Sequence, residues 1–361
     1  RGAPDHRQAQ RIAAEGAPAH LAWAGLGEAR RVAVGHGVDP PLRHLDAAAL
    51  DAELTLLPDR PQQQRLQGYG GWSRGDAVFV GANAPGGAVI TYHQKTRHLF
   101  GKLTLEILDA AGKVVDTLPA SKRRGINRVE WAMTVKPPRT PQGATLAGAA
   151  TYGPRVLPGR YTVRLTKNGQ VHEAPLEIGM DPRATYTLDE RKAQFDAAMR
   201  VHGLFERMAD LSDRIVGLRE QAKAKAAALP DGDRTKVKLA TLVNRIEDVR
   251  RQIVATKEGG AITGEERLRE HMDALYAAIV NWEGRPGAYH LARTDALERE
   301  LGEVEASFTA LIDREAKTLG LDPAVRAVAS GLGSPRAAMH ALRYYWQTPD
   351  LISTLREKKR R

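Results

Sequence analysis

At Asp181-Pro182 the apolar period of this chain changes, and that change limits what the chain can become. Before it, Tyr161, Val163 and Leu165 alternate with Thr162, Arg164 and Thr166, the pattern of a strand with one apolar and one wet face. Asn168-Gly169 tolerates positive φ at both central positions of a tight turn, and Val171, Pro175, Leu176 and Ile178 read as the return strand. After it, Phe195, Met199, Leu204, Met208, Leu211, Ile215 and Leu218 recur at helical spacing. An all-β region therefore hands over to an all-α region across one short connection.

The β region reads as short strands at 78–80, 88–93, 103–107, 114–118 and 125–131, followed by the hairpin. Turns at 83–87 and at Asp109-Ala110-Ala111-Gly112 separate them, and a Pro/Gly/Ala loop fills 136–157. This predicts an immunoglobulin- or fibronectin-like β-sandwich over 76–183, behind a Pro-, Gln- and Gly-containing linker at 61–75. The α region opens on a capping box, Thr187 with Glu190. Pro230-Asp231-Gly232 ends its first helix, and Leu239, Leu242, Ile246, Val249 and Ile253 mark the second, ended by Gly259-Gly260. Thr263 and Glu266 read as a second capping box before Leu268, Met272, Leu275 and Ile279. Thr294-Asp295 reads as the start of a fourth helix carrying Leu297, Leu301, Val304, Phe308 and Ile312. The expectation is an α+β multidomain chain: the sandwich, then an antiparallel four-helix bundle over 184–320. A helical basic tail over 321–361 follows, with helix starts at Ser334-Pro335 and Thr348-Pro349.

The net charge of +11 is unevenly spread: the excess of Lys and Arg lies in 61–183 and in the tail, while 184–320 is nearly balanced. Lys122-Arg123-Arg124 is a dense cluster in what reads as a hairpin loop, the best single place for a polyanion or acidic partner to touch. Its ordinary role would be to keep a sheet edge soluble and unpaired. Arg97, Arg128 and Arg139 could extend it. The cations are not interleaved with stacking aromatics, which argues against nucleic acid. Tyr69 and Trp72, in the linker, are the aromatics freest to stack on a glycan or partner, whereas Trp131 alternates with Val129 and Met133 and reads as core. Tyr344-Tyr345-Trp346 reads as packed on the helices.

Catalytic chemistry is not visible. There is no cysteine, hence no disulfide, thiolate ligand or thiol nucleophile. Asp76, Glu106, Asp109, Asp116, Glu130, Glu173, Glu177 and Asp181 show no pairing of the kind a glycosidase requires. Asp109 reads as a turn former and Asp181 as the residue ordering the β/α junction. His36 with His44, and His93 with His98, lack the converging ligands that zinc needs. No Gly-rich phosphate loop or nucleophile elbow occurs. No catalytic residue, cofactor or metal is assigned, and no apolar run is long enough to span a bilayer.

Four segments together resemble a family. They are residues 81–90 (GANAPGGAVI), the EILDAAGKVVDTL run, Gly125-Ile126-Asn127-Arg128-Val129-Glu130-Trp131, and residues 158–183 (PGRYTVRL through MDPR). In order and spacing they are similar to the region after the β-propeller of bacterial sortilin-like, BNR-repeat proteins, which are commonly labelled glycosyl hydrolases. Val32-Ala33-Val34-Gly35-His36-Gly37 and Pro41-Leu42-Arg43 resemble the end of a last propeller blade, without its Thr, Trp and double Asp. The resemblance implies a propeller-blade remnant and connector over 1–60, in the C-terminal part of a longer, exported protein. It implies a non-catalytic scaffold or interaction region whose partner is a protein or its own propeller. The alternative is a glycan-binding or glycoside-hydrolase-related protein whose active surface lies on the propeller.

Overall fold

A computed structural model describes residues 39–66, 85–257 and 265–326. The expected blade remnant up to residue 38, the strand at 78–80, Tyr69, Trp72, Asp76, Gly259-Gly260, Thr263 and the tail from 327 onward lie outside the described residues.

The chain is mixed α and β, with two sheets and five α-helices among the described residues. A 3-10 turn at Pro40–His44 and a short helix α1 (Ala47–Asp51), capped by the Asp46 carboxylate on the Ala49 N–H, lead into the first strand. One sheet has the order β1 (Leu54–Leu57), β3 (Ala88–Gln94), β6 (Gly125–Trp131), all antiparallel. The other has the order β2 (Gln62–Gln64), β8 (Gln170–Met180), β7 (Gly159–Lys167), β4 (Leu103–Leu108), β5 (Val114–Leu118), with only β2 parallel to its neighbour. Both sheets feed one apolar core: Ile90, Tyr92, Val129 and Trp131 from the first join Leu105, Ile107, Val163, Leu165, Leu176 and Ile178 from the second. Trp131 is fully buried and lies edge-on to Tyr161, 5.7 Å between ring centres.

The sheets begin earlier than alternation predicts. β1 and β2 both precede residue 76, and β2 falls inside the expected linker. Gln62-Gln63-Gln64 carries no apolar signal. It pairs because its backbone extends the β8 edge and because the buried Gln64 amide donates to the Val156 carbonyl at 2.6 Å. The hairpin turns as expected, with positive φ at Asn168 and Gly169. In β8, however, Ala174, Leu176 and Ile178 are buried, while Val171 and Pro175 are exposed. Pro175 lies beyond the short pairing with β2, so its missing N–H removes no ladder bond on that side.

The long helices are α2 (Leu188–Ala227), α3 (Arg234–Ile253), α4 (Leu268–Val280) and α5 (Ala288–Leu311), the last continuing into one π turn, Ile312–Ala316. The Thr187/Glu190 capping box forms as expected, with both reciprocal bonds. α2 touches α3, α4 and α5 around a core that includes Phe205, Met208, Ile215, Leu242, Ile246, Met272, Tyr276, Leu301 and Phe308. Two start signals are corrected. The last helix opens at Ala288, after Gly287, and not at Thr294-Asp295; Thr294 is buried mid-helix, its hydroxyl donating to the His290 carbonyl at 2.8 Å. α4 opens after Arg267, whose N–H donates to the Glu270 carboxylate at 3.1 Å, so Glu270 takes the role expected of Glu266.

Three features join the β and α regions. Asp181 accepts from the Arg183 guanidinium and from the N–H groups of Arg183 and Leu66, which holds its carboxyl well below the usual carboxylate range. The loop over 136–157 is laid along α4. There the buried Arg269 donates to the carbonyls of Pro141 and Thr145, Asp273 accepts from the Ala150 N–H, and the Tyr276 hydroxyl donates to the Tyr152 carbonyl. A buried polar seam completes the joint. Arg191, at the start of α2, donates to the Arg155 and Val156 carbonyls and to Gln194, while Glu283 accepts from both Arg155 and the Tyr186 hydroxyl.

Candidate functional site

The Lys122-Arg123-Arg124 segment connects β5, the outer strand of one sheet, to β6, the outer strand of the other. It is therefore a crossover between sheets and not the hairpin loop that the sequence implies. Its backbone is pinned from below. The Ser121 carbonyl accepts from the Tyr92 hydroxyl at 2.6 Å and the Gln94 amide at 2.9 Å. The Arg123 carbonyl accepts from Asn127 at 2.9 Å and Gln94 at 3.2 Å, and the Lys122 carbonyl accepts from the His98 N–H at 3.0 Å. The backbone is thus engaged by the sheet, while Lys122, Arg123 and Arg124 are all exposed. None of the three makes an ion pair among the described residues.

The His98 bond brings a second loop, 95–102 between β3 and β4, alongside the first. His98 is buried and its Nε2 contacts the Gly101 carbonyl at 3.2 Å, which closes a tight turn over Leu99 and Phe100. Gly101 has φ +88, and a Cβ there would meet Asn168 Oδ1 at 2.1 Å, so the turn also seats against the β7–β8 hairpin. Asn168 adds to that contact by donating its N–H to the Lys102 carbonyl at 3.1 Å. The result is a fixed turn whose tip is apolar: Leu99 is 63% and Phe100 84% exposed. Arg97 and Lys102 are exposed on either side of it, also without an ion pair among the described residues. Lys95 and Lys167 at the same end are engaged by Asp51 and Glu53, and the Lys167 and Thr96 hydrogen bonds hold the Glu53 carboxyl below its ordinary value.

Of the residues expected to extend the basic cluster, only Arg97 joins this end. Arg128 pairs with Asp39, and Arg139 is held by Glu206, Asp210 and Asp213 on α2. Several of the carboxylates weighed for glycoside hydrolysis have structural partners. Asp109 accepts from the N–H groups of Ala111 and Lys113, Glu130 from that of Gly87, and Glu173 pairs with Arg164. No group of His, Asp and Glu among the described residues is placed to hold a metal ion.

Two surface features carry little signal in the sequence. The signal for Leu99-Phe100 is two apolar residues between Arg97 and Lys102, outside any alternating run. At the turn between α4 and α5, Trp282 and Tyr289 are 62% and 73% exposed. Trp282 and His290 line a pocket of about 190 Å³ there, together with Ile279, Arg285 and Pro286. No family model matches this chain, and neither a curated protein nor a solved structure does.

Proposed function

We propose that this chain is a non-catalytic scaffold and interaction region, of the kind found after the propeller in exported sortilin-like, BNR-repeat proteins, and that it meets an acidic partner through the loop end of its β region. One observation carries the reading: Arg97, Lys102, Lys122, Arg123 and Arg124 stand exposed and unpaired among the described residues, on backbone that the sheets hold fixed. Five cations without an ion pair among the described residues, on loops whose backbone is hydrogen-bonded to the sheets, attract an anion and lose less entropy on meeting one.

In its finer architecture the chain would join an immunoglobulin-like sandwich to an antiparallel four-helix bundle. The order β1-β3-β6 against β2-β8-β7-β4-β5 supports the sandwich, the first segment of chain adding one strand to each sheet. So does Tyr161, early in β7, whose hydroxyl donates to the Leu157 carbonyl four residues upstream at 2.7 Å, as in a tyrosine corner. The contacts of α2 with α3, α4 and α5 support the bundle.

The test is retention on heparin as a function of salt, with the K122S/R123S/R124S variant as comparison. The wild type should bind, and the variant's log–log salt slope should be flatter by about two to three. Equal binding by the two proteins would remove the contact role. A glycan-binding reading stands second, supported by the exposed Trp282 and Tyr289 at the α4–α5 turn and its pocket. In that case Trp282→Ala abolishes binding on a glycan array, and the triple Ser variant retains it.

A further inference from the structure

We propose that the loop end of the β region docks on an anionic lipid bilayer, with Leu99 and Phe100 entering the headgroup layer and Arg97, Lys102, Lys122, Arg123 and Arg124 meeting lipid phosphates around them. This rests on the acidic-partner reading above and names the partner's class. Two chemistries coincide at one place. A soluble anionic polymer explains the cations but gives Leu99 and Phe100 nothing to bury against. A bilayer interface offers both phosphates and an apolar layer a few ångströms deeper, and an apolar tip flanked by Arg97 and Lys102, with the cationic crossover bonded beside it, matches that order.

The local construction fits this use. A turn that exposes two large apolar side chains to water gains nothing from them in the free protein. Here the turn is held in that shape by its neighbours: His98 on the Gly101 carbonyl, the His98 N–H on Lys122, and Gly101 packed on Asn168. The same bonds tie the apolar tip to the cationic crossover, so the two would reach a surface together. Among the described residues, the acidic Asp51 and Glu53 at this end are engaged by Lys95 and Lys167, so the tip is positive there.

Flotation of the full chain with vesicles tests the proposal, using phosphatidylcholine alone and phosphatidylcholine with phosphatidylserine. The wild type should float with the mixed vesicles and not with the neutral ones. L99S/F100S should weaken vesicle binding about tenfold or more while leaving heparin retention unchanged. K122S/R123S/R124S should weaken both. Because the chain has no cysteine, Phe100→Cys can carry a single environment-sensitive dye. Its emission should shift to the blue on mixed vesicles, while the same dye on Val237→Cys, at an exposed position of α3, should not respond. Unchanged vesicle binding by L99S/F100S, or a silent dye at position 100, overturns insertion. Heparin retention without vesicle binding overturns the lipid assignment and leaves an acidic protein or polymer as partner. Failure of both assays overturns the contact reading itself.

Discussion

The helix seams and the loop end of the β region use charge differently. Along the helices, Arg200 meets Asp295 and Glu298, Arg207 meets Glu298 and Glu305, and Arg219 meets Glu247. These pairs run between α2 and its neighbours and neutralise the charge along those seams. At the loop end of the sheets the exposed cations face solvent with no such partner among the described residues. Each exposed helical pair contributes only about 0.2–1 kcal/mol. The cluster has no such pair among the described residues, and its field extends about 8 Å at physiological salt. One region holds itself together, and the other presents a surface that looks outward.

The largest effect should come from the joint between the regions. Glu283→Ala leaves Arg155 and the buried Arg191 without their carboxylate, and should cost about 3–5 kcal/mol in denaturant unfolding. A loss below about 1 kcal/mol would mean that the seam does not couple the two regions. Tyr161→Phe removes the hydroxyl bond to Leu157 and should cost about 1–3 kcal/mol. The change should appear in the near-ultraviolet signal of the sheets with helical ellipticity unchanged; equal loss of both would show one cooperative unit.

Acid should act on the helical side through Glu265. Backbone N–H groups of Lys257 and Thr256 hold its carboxyl down from 4.5 to about 2. A depressed folded value means that its contribution is complete above pH 4.5 and is lost as pH falls toward 2. Glu265→Gln should therefore flatten the fall in unfolding midpoint across that window, and an unaltered profile would assign the acid sensitivity elsewhere. The smallest effect bears most directly on the outward-looking surface: K122S/R123S/R124S should leave stability within about 0.5 kcal/mol of wild type. A larger loss would make the cluster structural.

Much of the fold is legible in the sequence because both regions carry strong periodic signals. Val163 and Leu165 in β7, and the run from Leu204 to Leu218 in α2, face the core as their spacing implies. The departures share a cause, which is dependence on something distant in sequence. β2 has three glutamines and no pattern, and exists through β8 and Val156. Thr294 imitates a helix cap, yet α5 already runs past it because the helix opens after Gly287. At the candidate site, Lys122-Arg123-Arg124 stands out by density, but in sequence Arg128 and Arg139 are its equals; only Asp39 and the α2 carboxylates set them apart.

Side-chain chemistry and spacing along a single strand or helix suffice to say which residues seek an interior, where the apolar period changes, and that positive charge gathers in the β half. These are local properties. Which cations find a carboxylate, which loops lie side by side, and that Leu99-Phe100 is displayed at a hydrogen-bonded tip are settled only when the chain is folded. They depend on pairings such as His98 with Lys122 and Arg139 with Glu206, made between segments whose separation in the chain carries no signal of their contact.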